Sequence, residues 1–216
     1  MHIYEKNGHK YPSVTTVMQI IGDDGICKWA NHLGYKRISY VSELDRLSKF
    51  GTAAHSFVRA MIDPYAPKPE PYECTYEEEQ KLKSILLNFK EFQKEVQIKP
   101  IVTEYTMVSE NYKIGGTCDC FGSFTLDGKT YENVLIDFKT SRSVRASMIM
   151  QLSGYRYLLE EYGYKVEHGA IIQLNTDAIK VTLVDLDTLK EYGESFLKLV
   201  DFFYFWVKYN KIRERD

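Results

Sequence analysis

The sequence predicts an α/β fold of the α+β kind, a central mixed β-sheet flanked by helices. Three observations carry that expectation. Before residue 100 the apolar residues recur at helical spacing, and from Ile101 the period drops to two. Asp127-Gly128 stands between two alternating stretches, and this dipeptide is a strong signal for a tight hairpin turn. Beyond that hairpin the chain reads helix, two strands, helix, so the element types interleave.

A chain of 216 residues suits a single domain, and we take 1–216 as one. Residues 1–100 are mainly helical, 101–185 form the sheet core and 186–216 a C-terminal helix. Hydrophobic residues make up 44% and charged residues 27%, ordinary globular values that exclude a disordered or fibrous chain. Lys and Arg number 28 against 30 Asp and Glu, a net charge of −2. That balance argues against a basic coat along a whole face and leaves room for a local basic patch. Aromatics reach 14%, which serves cores and base-stacking platforms alike.

Cys27, Cys74, Cys118 and Cys120 form no C-x-x-C pair and no zinc spacing, so they read as reduced thiols of an intracellular protein. If Cys118 and Cys120 lie on one strand, they point to one side. The segment from Met1 to Lys6 carries charge at once and has no apolar run of a secretory signal. No stretch approaches the ~20 apolar residues that cross a bilayer. The expected location is the cytoplasm, with no membrane partner and a monomer as the working oligomeric state.

Tyr11-Pro12-Ser13-Val14-Thr15-Thr16 is the first punctuation, with hydroxyls suited to cap a short apolar helix that runs to Gly22. Lys28 to Leu33 reads as a second short helix stopped by Gly34. A third spans about Ser42 to Ile62, interrupted near Gly51, with Phe50, Ala54, Phe57, Val58 and Met61 as its stripe. Prolines between residues 64 and 71 mark an exposed loop. The acidic residues from Glu70 to Glu79 read as a solvated loop and an acidic helix start. Thr75-Tyr76-Glu77-Glu78 fits a capping box, followed by a helix with Leu82, Ile85, Leu86, Phe89, Phe92 and Val96 on one face.

Ile101 to Ser109, Thr117 to Leu126 and Lys129 to Lys139 read as strands. A helix follows from about Ala146 to Tyr162. Strands Gly169 to Leu174 and Ile179 to Asp185 come next. The closing helix runs from about Leu189, its core stripe being Leu189, Tyr192, Phe196, Leu199, Phe203 and Trp206. Neither a G-x-G-x-x-G nor a Walker A fingerprint is present, and no nucleophile elbow.

The informative stretches are Gly115-Gly116-Thr117-Cys118-Asp119-Cys120-Phe121 and Leu135-Ile136-Asp137-Phe138-Lys139-Thr140-Ser141. Alternation puts Val134, Ile136 and Phe138 on one face and Leu135, Asp137 and Lys139 on the other. An apolar strand ending in a carboxylate and an ammonium on one face is costly unless they pair or bind something. With a two-residue turn at Asp127-Gly128, Asp119 falls opposite Ile136, on the wrong face. A three-residue loop puts it opposite Leu135, diagonal to Asp137. A bulge near Glu132-Asn133 achieves the shift as well. Two converging carboxylates repel, and a divalent cation such as Mg²⁺ or Mn²⁺ removes that penalty. Lys139 beside such an ion can orient a water, help deprotonate it or stabilise phosphate charge. A structural Asp–Lys pair at a strand end is the competing account of the same residues.

Asp119 followed by Asp137-Phe138-Lys139 at the end of the next strand resembles the PD-(D/E)XK nuclease superfamily. His55 in Gly51-Thr52-Ala53-Ala54-His55 resembles the helical histidine of RecB-type nuclease domains, and Glu104 the acidic residue of their first core strand. Gln151 and Tyr155 resemble their Q-x-x-x-Y motif. The opening Tyr11 to Thr16 is similar to phage-encoded nucleases and related exonucleases. The match covers about residues 11–175.

This resemblance implies a restriction-endonuclease-like core and a Mg²⁺- or Mn²⁺-dependent DNA nuclease. Asp119 and Asp137 would ligate the metal, with the Phe138 carbonyl as a further ligand and Lys139 positioning or activating water. His55 would be a ligand or close contact, Glu104 a ligand or a support for one, and Gln151 and Tyr155 contacts to nucleic acid. Arg142, Arg145, Thr140 and Ser141 would meet phosphates. Taken from the residues alone, His55 also fits a polar flank of an apolar stripe, Tyr155 a core ring, and the arginines solvated charge. The implied substrate is single-stranded DNA or DNA ends, cut exonucleolytically. A structure-specific endonuclease or a catalytically silent DNA-binding module are the alternatives. No iron–sulfur cluster is expected, since relatives that carry one use four separated cysteines.

Overall fold

A computed structural model of the protein describes residues 2–22 and 24–213. Met1 and residues 214–216, the end of the expected C-terminal helix, lie outside the described residues. The chain opens with a hairpin, β1 (Ile3–Lys6) and β2 (His9–Pro12), which the sequence did not announce because both strands are short and largely polar. Ser13 then caps α1 (Val14–Met18), its hydroxyl accepting the Thr16 N–H at 2.9 Å, as the hydroxyl-rich segment led us to expect. One 3₁₀ turn leads on to α2 (Asp24–Tyr35), longer than its apolar residues suggested.

The helix α3 (Tyr40–Ile62) is continuous, so the expected interruption at Gly51 is absent. A single glycine inside a helix costs about 1 kcal/mol relative to alanine, and the packing of Ala54, Val58 and Ile62 outweighs it. The helix α4 (Tyr76–Val96) starts in the expected capping box, with Thr75 and Glu78 satisfying each other's backbone. One acidic residue of this stretch is not solvated: Glu78 is 4% exposed and ion-pairs with Arg46 of α3. It clamps the two helices together.

Five strands form the main sheet: β3 (Lys99–Ser109), β4 (Ile114–Leu126), β5 (Lys129–Lys139), β6 (His168–Leu174) and β7 (Ile179–Asp185). They lie in sequence order, antiparallel except for β5 and β6. A parallel neighbour needs a crossover, and α5 (Ala146–Glu161) supplies it. The last helix, α6 (Leu186–Arg213), packs along α5.

The fold is therefore a mixed sheet flanked by helices, with apolar residues on both faces. On one face Met107, Phe121 and Leu135 pack with Leu152 and Leu158 of α5 and Phe196 of α6. On the other, Phe124, Ile136 and Phe138 pack with Val58 of α3 and Phe89 of α4. Two expected core positions are outside it: Met61 is exposed, and Trp206 is 45% exposed. Trp206 instead lines a cavity with Thr16, Gln19 and Ile20 near the start of the chain.

Candidate metal centre

The hairpin between β4 and β5 sets the site. Asp127 and Gly128 both have positive φ, 50° and 75°, and Leu126 pairs Lys129 across a two-residue turn. That register would leave Asp119 opposite Ile136. It does not persist. Between Phe124↔Tyr131 and Gly122↔Val134, β4 advances two residues and β5 three, and Asn133 takes φ 55°. Of the two devices the sequence left open, the bulge at Glu132-Asn133 is the one used. Beyond it Cys120 faces Ile136, and one more step of that register brings Asp119 beside Asp137 itself, not the diagonal position. The Asp119 carboxylate reaches across and accepts the Phe138 N–H at 2.7 Å.

A second irregularity aims the carboxylates. Val102 and Tyr105 both pack on the α5-side core although they are three residues apart, as do Cys118 and Phe121 on β4. Alternation therefore slips by one residue on both strands at the same level, since Thr103↔Cys120 and Tyr105↔Cys118 bracket Glu104 and Asp119. Glu104 has φ 47°, a left-handed conformation that is strained for a non-glycine residue in a strand. The expectation that Cys118 and Cys120 share a side fails for this reason: Cys118 joins one core and Cys120 the other.

The slip delivers Glu104 and Asp119 to His55, on α3. Ligand atoms of His55, Glu104 and Asp119 all lie within 4.8 Å of one another, and His55 Nδ1 is 3.5 Å from the Asp119 carboxylate. The imidazole edge packs against the Phe138 ring at 6.2 Å, so β5 positions the histidine through its next core residue. One nitrogen and carboxylate oxygens suit a divalent first-row ion or Mg²⁺, and the cluster is half-buried and open to a cavity.

Asp137 is 1% exposed and takes Lys139 Nζ at 2.6 Å. The same ammonium donates to Gln151 Oε1 at 3.2 Å, and Gln151 Nε2 donates to the Tyr155 hydroxyl at 3.0 Å. Gln151 and Tyr155 stand one turn apart on α5, so the crossover helix fixes the lysine through a chain of two contacts. Tyr155 is buried, and Gln151 is half-buried between it and the lysine.

Burial pushes the Asp137 carboxyl up to about 6, with Lys139 opposing and the Asp119 charge reinforcing the rise. Burial likewise raises Glu104, helped by Asp119. Asp119 goes the other way: burial works against its charge, yet His55 and Lys139 outweigh it and hold the carboxyl low. Burial disfavours the His55 and Lys139 cations too, but Asp119 raises the first and Asp137 the second. Lys139 is thus an ammonium at neutral pH. Two carboxylates with raised values beside a third make a site whose ionised form gains from a bound cation.

Residues 140–145 link β5 to α5. Thr140 and Ser141 do not start that helix, since Arg145 occupies the cap position. Gln173 on β6 donates to the Ser141 carbonyl at 3.1 Å and ties the loop down. Thr140, Ser141 and Arg145 line a cavity of about 610 Å³ together with Lys139 and Gln151, and Arg142 is exposed beside it. Phe138 contributes its ring to the core and its N–H to Asp119.

Sequence reasoning missed Ser56 and Arg59, which line a second cavity of about 370 Å³ with His55, Glu104 and Asp119. Their spacing from His55 along α3 was the available signal.

No family model matches this chain, and no curated protein matches it. A solved structure described as "Crystal structure of SSO0001" is similar over 92% of this chain and 78% of that one, at 17% identity and a TM-score of 0.38. So distant a likeness has no bearing on fold or activity here. Among the described residues no helix is long and apolar enough to cross a membrane.

Proposed function

We propose that the protein is a divalent-metal-dependent DNA nuclease of the PD-(D/E)XK type, acting as an exonuclease on single-stranded DNA or DNA ends. The observation that carries this reading is the meeting of His55, Glu104 and Asp119 within 4.8 Å, with Asp119 on the strand next to the one that carries the buried Asp137–Lys139 pair. His55, Glu104 and Asp119 would hold Mg²⁺ or Mn²⁺, with Asp137 adjoining. The bound ion supplies Lewis acidity towards a phosphoryl oxygen and a water of lowered pKa.

The chain's own residues do the rest. Asp137 and Gln151 hold the Lys139 ammonium where negative charge develops on a phosphate, with no reorganisation at the moment of reaction. Because Asp137 keeps Lys139 protonated, its role is electrostatic and orienting rather than that of a base. Tyr155 fixes Gln151, and the loop 140–145 offers hydroxyls and guanidinium groups to neighbouring phosphates.

End-labelled single- and double-stranded DNA with Mg²⁺ or Mn²⁺ tests the proposal. Linear strands are shortened and closed circles stay intact; cut circles point to endonuclease action. Asp137→Ala abolishes cleavage and leaves DNA binding largely in place. Unchanged cleavage by that variant refutes the assignment.

A further inference from the structure

Resting on the nuclease reading, we propose that Arg59, with Ser56, forms a subsite for a backbone phosphate of a single DNA strand, beside the carboxylate–histidine cluster and separate from the Lys139 loop. Ser56 and Arg59 line one cavity of about 370 Å³ with His55, Glu104 and Asp119. Arg59 is one helical turn from both His55 and Ser56, so its side chain lies between theirs on α3.

Arg59 is held through its Nε, and its terminal nitrogens stay open. Its Nε donates to Thr103 Oγ1 at 2.9 Å, and the Thr103 hydroxyl donates to Asp63 at 2.5 Å. Asp63 also accepts the Tyr65 N–H at 2.9 Å. The nearest Asp63 oxygen is 4.0 Å from Arg59 Nε, too far for a hydrogen bond, so no two-pronged carboxylate pair forms. The terminal guanidinium nitrogens make no hydrogen bond to any described residue. Ser56 lines the same wall. The Thr52 hydroxyl is committed to the Ser48 carbonyl at 3.0 Å and only shapes the rim.

Charge completes the argument. Glu104 and Asp119 bring two negative charges, which a divalent ion on a neutral His55 balances. Arg59 then offers the loaded cavity a planar donor fork that fits two phosphate oxygens, its charge shared only at long range with Asp63.

Anisotropy of a labelled single-stranded oligonucleotide, with Ca²⁺ in place of Mg²⁺ and salt varied, tests the subsite. Arg59→Ala is expected to weaken binding at least tenfold and to flatten the slope of log affinity on log salt by about 0.7, the share of one phosphate contact. Arg59→Lys keeps the slope and recovers part of the affinity. Calorimetric Mn²⁺ affinity of the Arg59→Ala protein stays that of the wild type. Affinity lost with an unchanged slope, or lost together with Mn²⁺ binding, assigns Arg59 to bracing Thr103 alone and overturns the proposal. Should the wild type bind DNA while Arg59→Ala binds it equally well, only the subsite falls. A wild type that binds no oligonucleotide overturns the nuclease reading as well.

Discussion

Replacing Lys139 by Met strands the Asp137 carboxylate, which is 1% exposed and has the ammonium 2.6 Å away. The size of the effect follows from the acid's titration. Asp137 moves from an ordinary 3.8 to about 6 with Lys139 in place. A carboxyl raised by folding opposes the folded state once pH passes its unfolded value, and the opposition stops growing above the folded value. For the wild type that amounts to about 3 kcal/mol at pH 7, at roughly 1.4 kcal/mol per unit. Without the ammonium the folded value climbs further, so the opposition keeps growing past pH 6. Its ceiling is the cost of keeping the acid protonated. The additional destabilisation of Lys139→Met from this source is then near zero at pH 5, at most about 1 kcal/mol at pH 7 and about 3 kcal/mol at pH 8. Urea unfolding of both proteins in EDTA at these three pH values reads it as a midpoint shift at constant slope. A difference that does not vary with pH refutes the reasoning, because it means Lys139 is not what keeps Asp137 ionised.

Three other outcomes are expected. Asp119→Asn lowers Mn²⁺ affinity in calorimetry by at least tenfold, while far-UV circular dichroism is unchanged. Glu78 is held low by the Thr75 N–H, against burial, and by Arg46, so its stabilisation is present above its ordinary 4.5 and fades as pH falls through the lowered folded value. Glu78→Gln accordingly costs about 1–2 kcal/mol in thermal melts at pH 7, with the gap to wild type closing towards pH 3. A Cβ at Gly122 would lie 2.2 Å from the Lys99 carbonyl oxygen and 2.8 Å from Pro100 Cα, both backbone atoms that cannot swing away. Gly122→Ala therefore forces β3 and β4 apart, at a cost of about 2–3 kcal/mol by denaturant unfolding.

Local chemistry made much of this legible in the sequence. Thr75 and Glu78 announced a helix start, Asp127-Gly128 a turn, and the Val134–Lys139 alternation put Asp137 and Lys139 on one face, where they pair. Asking how Asp119 reaches Asp137 narrowed the answer to a three-residue loop or a bulge at Glu132-Asn133, without choosing between them. The break of alternation at Glu104 and Asp119 was not legible, because both strands keep an ordinary apolar pattern on either side and the conformation of Glu104 is imposed by tertiary contacts. Arg59 escaped notice for a similar reason: its partner Thr103 is 44 residues away. Gly51 misled, since local propensity marks a break where docking onto the sheet sustains the helix.

The cluster draws His55 from a helix, Glu104 and Asp119 from two antiparallel strands, and its neighbouring lysine is steadied from α5. Glu104 and Asp119 share one strand pair, but His55 comes from a helix far earlier in the chain, so the full ligand set forms only when α3 docks against that pair. In refolding, Mn²⁺ uptake is expected only once α3, β3 and β4 have come together. The ion thus serves as a reporter of their assembly, readable by stopped flow alongside ellipticity.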